Sequence, residues 1–393
     1  MRKFYLITLL SLFLILLCSC SKSITADHIF SSGANFYTAI NDTNIFYIHK
    51  DGIYQTDLDL KNKQKLLDIK NVNRIAATQE YLIYTQISPT PKTQYVYFTP
   101  QKVNIIDLDS TDVVASYEFT DLDELFIDGD RLYVIGDYKL PSNFIDLQGS
   151  PGSGLYIVDL SELNQPWYVH KTVLSTVYEY NDQRICMFED ENIIWYENYH
   201  GGTLSVTLYS KRYRQNASFF SWSQSSMSAM FSNSTGTIAL NGDTLFRVNQ
   251  KNAITLQKFP NNIYSDNPTL CTGYKILDNG QMILMNQRLD KNFHHSVSSS
   301  LKNHLWDQLF YLDKDFHLIN TFTTSPKERI LYADLDTVVT IKDNTLYSTS
   351  LNNQEKIKLA KIKLPNNSTV ETCGKYLFFF GQGKLLETVE LPQ

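Results

Sequence analysis

Beyond residue 35 the apolar positions come in short runs of Val, Ile, Tyr, Phe and Leu, and no long stretch keeps a 3.6-residue period. The runs are cut by Asn-Gly, Asp-Gly, Gly-Asp and Asn-Asn pairs, the residues that tight turns require. One phrase recurs. Ile53-Tyr54-Gln55-Thr56-Asp57-Leu58 returns as Leu155-Tyr156-Ile157-Val158-Asp159-Leu160 and as Leu346-Tyr347-Ser348-Thr349-Ser350-Leu351. Looser copies stand at Asn104–Leu108 and Phe310–Asp313, and weaker ones surround Thr207, Asn249 and Glu390. Marked by the polar residue, the spacings are 50, 52, 48, 42, 64, 37 and 40 residues. A strand-only repeat of that length predicts an all-β β-propeller of four-stranded antiparallel blades.

The first blade is expected to use Phe36–Ile40, Ile45–His49, Ile53–Leu58 and Lys65–Ile69, and the seventh Ile330–Ala333, Val338–Lys342, Thr345–Leu351 and Lys356–Leu364. The marker then belongs to the third strand, and its Asp or Ser ends the strand by bonding local backbone. The count gives eight blades, or seven if the weakly patterned residues 211–245 hold none. Within them Ser221–Thr237 reads as a loop. The last unit, Val370–Leu391, has only three strands. An N-terminal strand around His28–Ser32 is expected to supply the missing outer one and close the ring.

Composition agrees with a large strand-built core: 43% of the 393 residues are hydrophobic, with Tyr 25 and Phe 22. The net charge of −6, with no long basic run, excludes nucleic acid as the expected partner. The start of the chain is different. Arg2 and Lys3 precede an apolar stretch, Phe4–Leu17, too short for a spanning helix and typical of a signal peptide. It ends in Leu17-Cys18-Ser19-Cys20, which resembles the bacterial lipobox. That resemblance implies a signal peptide over 1–19, an acylated (palmitate-bearing) Cys20, an anchor and tether over 20–34, and a propeller over 35–393. It places the protein in the bacterial cell envelope. The site would be the outer membrane in a Gram-negative organism and the outer face of the cell membrane in a Gram-positive one. The mature chain has 33 basic and 41 acidic residues, a net −8, so lipid rather than protein charge would hold it to the bilayer.

Three insertions interrupt the pattern: Ile87–Gln94, Asp137–Ser153 and Leu289–Lys302, each between a second and a third strand. In a propeller they share one rim with the connections between blades. They bring Tyr95, Lys139, Phe144, His294, His295 and Trp306 to a candidate recognition surface. Cys186, Cys271 and Cys373 are widely spaced inside apolar runs and read as buried hydrophobes. His294, His295 and His304 have no adjacent carboxylate, so no metal site is expected. The chain has no G-x-S-x-G, H-E-x-x-H, P-loop or G-x-G-x-x-G. No cofactor and no catalytic residue are assigned.

The I-Y-x-x-D-L strand, with Ile45-Phe46-Tyr47-Ile48 and Leu82-Ile83-Tyr84 upstream, resembles the low-density-lipoprotein-receptor (YWTD-type) and TolB-like propeller repeats. The layout is also similar to the propeller lipoprotein of the outer-membrane β-barrel assembly machinery, without its quinoprotein repeat motif. The function these features imply is a non-catalytic, membrane-anchored scaffold that docks an envelope protein or polymer. An extracytoplasmic enzyme acting on glycan or peptide, and a small-solute binding protein, are the alternatives.

Overall fold

The computed structural model describes residues 24–25, 37–87, 101–138, 154–163, 166–168, 176–180, 183–189, 193–200, 203–210, 229–233, 236–241, 244–248, 253–258, 269–277, 279–289, 304–326, 328–364, 368–381 and 384–392. All regular structure there is β. After β1 (Ile24–Thr25), the first sheet is β2 (Thr38–Ile40), β3 (Asn44–His49), β4 (Gly52–Asp57) and β5 (Gln64–Leu67). The second has seven strands: β6 (Val72–Ala77), β7 (Tyr81–Ile87), β8 (Gln101–Asp107), β9 (Val113–Asp128), β10 (Arg131–Tyr138), β11 (Gly154–Asp159) and β12 (Trp167–Tyr168). Two more follow: β13 (Thr176–Tyr180), β14 (Gln183–Glu189), β15 (Ile193–His200) and β16 (Thr203–Ser210), then β17 (Ala229–Asn233), β18 (Gly236–Asn241), β19 (Thr244–Val248) and β20 (Ala253–Lys258).

The next sheet is β21 (Thr269–Ile276), β22 (Met282–Leu289), β23 (His304–Leu312) and β24 (Leu318–Thr323). It is followed by β25 (Arg329–Ala333), β26 (Thr337–Lys342), β27 (Thr345–Ser350) and β28 (Lys356–Lys361). The last sheet holds β29 (Ser368–Cys373), β30 (Tyr376–Gly381) and β31 (Lys384–Glu390), with β1 beside β29. Within each sheet the consecutive strands are antiparallel neighbours. The seven-stranded sheet is two such units that share β9: its first half, Val113–Phe119, pairs with β8, and its second half, Phe119–Asp128, pairs with β10.

A strand's place in its sheet sets its composition. Second strands are apolar on both faces because neighbouring sheets cover both, as in Tyr376-Leu377-Phe378-Phe379-Phe380, buried throughout, and Val338-Val339-Thr340-Ile341. Fourth strands such as β24 and β28 lie largely in solvent and mix polar residues with exposed apolar ones, Leu318, Ile319 and Ile357 among them. Between sheets the apolar faces interlock. Ile48, Ile53 and Phe46 pack with Ile75, Leu82 and Ile106 of the next sheet. Ile283 and Leu309 pack with Ile330 and Val338, and Val339 and Leu346 with Val370, Leu377 and Phe379. The last sheet also packs on the first: Tyr376, Phe378 and Phe380 meet Ile45 and Tyr47.

The repeat marker does what its chemistry suggests. Asp57 Oδ1 accepts from Lys61 N at 2.7 Å, Asp107 Oδ1 from Ser110 N at 2.8 Å, and Asp313 Oδ1 from Asp315 N at 2.8 Å, so each caps the turn into the fourth strand. The strand sketches for the first and seventh units match β2–β5 and β25–β28 within one to three residues. Two expectations need correction. Thr207 lies in β16, a fourth strand, not a third. The Ser-rich stretch 221–237 is not all loop, since β17 and the start of β18 fall in it. There Ala229–Asn233, which has one serine among its five residues, pairs with Gly236–Leu240.

His28–Ser32 lies outside the described residues, and the strand that joins the last sheet is β1, parallel to β29, with Ile24 beside Ser368. The β31 edge gains no partner among the described residues.

One glycine is fixed by close approach. A Cβ on Gly52 would lie 1.9 Å from the Leu67 carbonyl oxygen, where β5 closes over the start of β4. Gly52→Ala is expected to cost at least about 2 kcal/mol, because a backbone oxygen must move. A urea midpoint unchanged from the parent would refute this.

Candidate functional site

The three insertions fall where the repeat places them. Residues 88–100 lie between β7 and β8, 139–153 between β10 and β11, and 290–303 between β22 and β23, each between the second and third strands of its unit. By the antiparallel order these turns emerge at the same end of the sheet as the connection to the next sheet. Tyr95, Lys139, Phe144, His294 and His295 lie outside the described residues, as does Cys20. Trp306 is described. It stands in β23 opposite Arg288, half-buried, at the C-terminal root of the third insertion.

Two of these roots are fastened by buried polar side chains, one to the following sheet and one to β9 of its own sheet. Asp307, next to Trp306 and fully buried, accepts from the Ile330 backbone N–H at 2.8 Å, while its own N–H donates to Thr324 Oγ1 at 2.9 Å. At the first insertion Gln101 opens β8. Its Nε2 donates to the Leu122 carbonyl at 3.2 Å, and its Oε1 accepts from Asn73 Nδ2 at 2.9 Å. Thr85 Oγ1 donates to Asn73 Oδ1 in turn. Of these, the Asp307–Ile330 and Gln101–Leu122 bonds cross from a third strand to the first strand of the next unit, and the others brace the root within its own unit. A loop rooted this way has a fixed base on which exposed side chains can be presented.

Glu328, buried before β25, is the other carboxylate at this junction. It accepts from Ser325 Oγ at 2.6 Å, from Thr340 Oγ1 and from Lys356 Nζ. Burial alone would raise its pKa, but the lysine and the two hydroxyls outweigh it and hold the carboxyl below its ordinary value. Held in this way, Glu328 fastens Ser325, Thr340 and Lys356 around one buried charge.

A polar cluster surrounds the corresponding turn of the first sheet, at Lys50-Asp51. Asp51 accepts from Lys65 Nζ at 2.9 Å and from Tyr54 Oη at 3.2 Å, and Lys65 also reaches Asp68 at 2.8 Å. His49 Nδ1 lies 3.3 Å from Asp51 Oδ1 without hydrogen-bond geometry, and its ring sits 5.5 Å from that of Tyr54. Desolvation lowers the His49 pKa; Asp51 opposes that, and Lys384 and Lys65 add to it. Among the described residues no group of three acidic, histidine or cysteine side chains has metal-binding geometry.

The sign of the His49 linkage follows. The folded pKa lies below the ordinary 6.5, so the unfolded chain binds more protons, and stability is lost as pH falls below about 6.5. The urea midpoint is expected to drop less between pH 7.5 and 5.5 in His49→Gln than in the parent. Identical drops would contradict it.

Sequence reasoning had singled out the insertions but not Gln101, Asp307, Glu328 or Glu371. A signal was present for two of them. Asp307 and Glu371 are single charges inside otherwise uncharged strands, Leu305-Trp306-Asp307-Gln308-Leu309 and Thr369-Val370-Glu371-Thr372-Cys373, where burial demands a partner.

No protein-family model and no curated protein match the chain. Solved structures similar to it include the β-propeller domain of the Trilobed protease from Pyrococcus furiosus, at 10% identity and a TM-score of 0.40, over 84% of this chain and 99% of that one. Kluyveromyces lactis Hsv2 matches at 9% identity and a TM-score of 0.40, over 85% of this chain and 100% of that one. Apo AztD from Citrobacter koseri matches at 10% identity and a TM-score of 0.40, over 86% of this chain and 88% of that one.

Proposed function

We propose that the sheets are the blades of one eight-bladed propeller, closed where the last sheet packs on the first, and held at a bacterial envelope membrane by an acylated Cys20. The count of eight takes the seven-stranded sheet as two blades that share β9. The propeller is a non-catalytic scaffold that docks an envelope protein or polymer through its insertion-bearing rim. One observation carries the docking reading: the three long insertions occupy the same second-to-third-strand position, and two have roots fastened by Asp307 and Gln101. Buried carboxylates that are saturated with donors favour a scaffold over an enzyme acting on glycan or peptide.

The test uses the tagged lipoprotein, captured from envelopes in mild detergent, beside a variant lacking residues 139–153 and 290–302. A near-stoichiometric partner bound by the parent and lost from the variant, while both stay folded, is the expected result. Equal recovery of the same partners by both forms would overturn the rim as the docking surface.

A further inference from the structure

We infer that β28 is a docking edge for an extended acidic peptide segment, which adds to that sheet as a further strand with carboxylates at alternate positions. The inference concerns the edge of one sheet and does not depend on the insertion rim. It starts from a local reversal of charge. Residues 342–384 hold seven lysines, Lys342, Lys356, Lys358, Lys361, Lys363, Lys375 and Lys384, against Asp343, Glu355 and Glu371, a net +4 on a mature chain of −8. β28 has three of these lysines within six residues; β5 and β20 have one each, and β12, β16 and β24 have none.

The register then aligns them. Lys356, Lys358 and Lys361 stand opposite Thr349, Tyr347 and Thr345 of β27, so all three point to one face of the sheet. Their sequence spacing is uneven, and the irregularity between Leu346 and Tyr347, which leaves Leu359 unpaired, is what restores the phase. The result is one lysine about every 7 Å along the strand. Lys356 turns its ammonium to Glu328 and lies 4.8 Å above the Tyr347 ring, while Lys358 and Lys361 are exposed. On the opposite face Ile357 is 46% exposed. Beyond β28 the sheet order ends, so among the described residues its outward N–H and C=O groups face no strand.

Lysines on an edge keep neutral strands away. The same charges select a strand of opposite sign, because cross-strand pairs of unlike charge are favourable and like pairs are not. A β-strand is the polymer whose alternate side chains repeat at the lysine spacing. Its carboxylates would meet Lys358 and Lys361 while its intervening apolar side chains cover Ile357.

The test measures binding of the mature lipoprotein, in mild detergent, to a short fluorescent peptide that alternates valine and glutamate. The controls are the same composition with its glutamates in one block, the alternating peptide N-methylated at every second residue, and inorganic polyphosphate. The alternating peptide is expected to bind the parent and to lose about tenfold or more against the K358E/K361E variant. It should bind the variant lacking 139–153 and 290–302 as it binds the parent, which separates this edge from the rim. Both lysines are exposed, so an unchanged urea midpoint is expected to show that K358E/K361E folds. Failure of the alternating peptide to bind overturns the inference. So does equally tight binding of the blocked peptide, the N-methylated peptide or polyphosphate, or indifference to K358E/K361E.

Discussion

Glu371→Ala is expected to be among the most destabilising single changes in the chain, at a cost of about 3 kcal/mol. Glu371 is 1% exposed and joins the two ends of the sequence. Its carboxylate accepts from the Tyr37 N–H at 3.0 Å and 3.1 Å through its two oxygens, and from Thr38 Oγ1 at 2.9 Å. Without it, the backbone donor of Tyr37 and the buried hydroxyl of Thr38 lose a charged acceptor inside the junction of the first and last sheets. Aromatic contacts accompany it: Tyr37 lies 5.2 Å from Phe380, and Tyr47 lies 6.3 Å from Phe378, ring centre to ring centre.

Thr38→Val keeps the shape and removes one donor, so it should cost only about 1 kcal/mol. Urea unfolding of the three proteins tests this ordering. A Glu371→Ala midpoint equal to that of Thr38→Val would show that the carboxylate is not the fastening. A reduced slope in Glu371→Ala alone would show the junction opening before the sheets melt.

Cys20→Ser is expected to abolish incorporation of an alkyne-tagged palmitate analogue and to release the protein from the membrane fraction. On the proposed lipid-anchored reading the effect is all or none, because that anchor is covalent and a chain processed before Cys20, at net −8, would be repelled by anionic lipid. Cys18→Ser should leave labelling intact, because Leu17 stands where a small residue is needed before a modified Cys18. Full labelling of Cys20→Ser, or loss only in Cys18→Ser, would move the anchor or remove it.

Much of the fold was legible because it is a local pattern repeated. Alternation, turn residues and the Asp at the end of the third strand located β2–β5 and β25–β28 almost residue by residue. The same pattern put the three insertions between the correct strands. It failed where composition stops marking strands. Around Thr207 the apolar run belongs to β16, and only the pairing with β15 shows that it is a fourth strand. Ala229–Asn233 lies at the end of a Ser-rich stretch, and its pairing with β18 is what marks it as a strand.

The fastenings were illegible for a different reason. Glu371 and Tyr37 are 334 residues apart, and Asp307 and Ile330 are 23 apart in adjacent sheets. Periodicity speaks for neighbours in sequence, so it can flag a charge in an apolar strand but cannot name what that charge meets. The lysines of β28 were equally hidden. Only the irregularity at Leu359 brings their uneven spacing onto one face.

The meeting of the first and last sheets is the premise of a closed ring, and one ion pair reports on it directly. Lys375 Nζ, in the turn after β29, lies 3.1 Å from Asp59 Oδ1 in the turn after β4, and 3.1 Å from Glu390 Oε1 of its own sheet. A carbodiimide, which joins amine to carboxylate without a spacer, followed by peptide mass spectrometry on the native protein, should give both the Lys375–Asp59 and the Lys375–Glu390 links. Recovery of Lys375–Glu390 without Lys375–Asp59 would mean that the two ends do not meet and that the sheets form an open array.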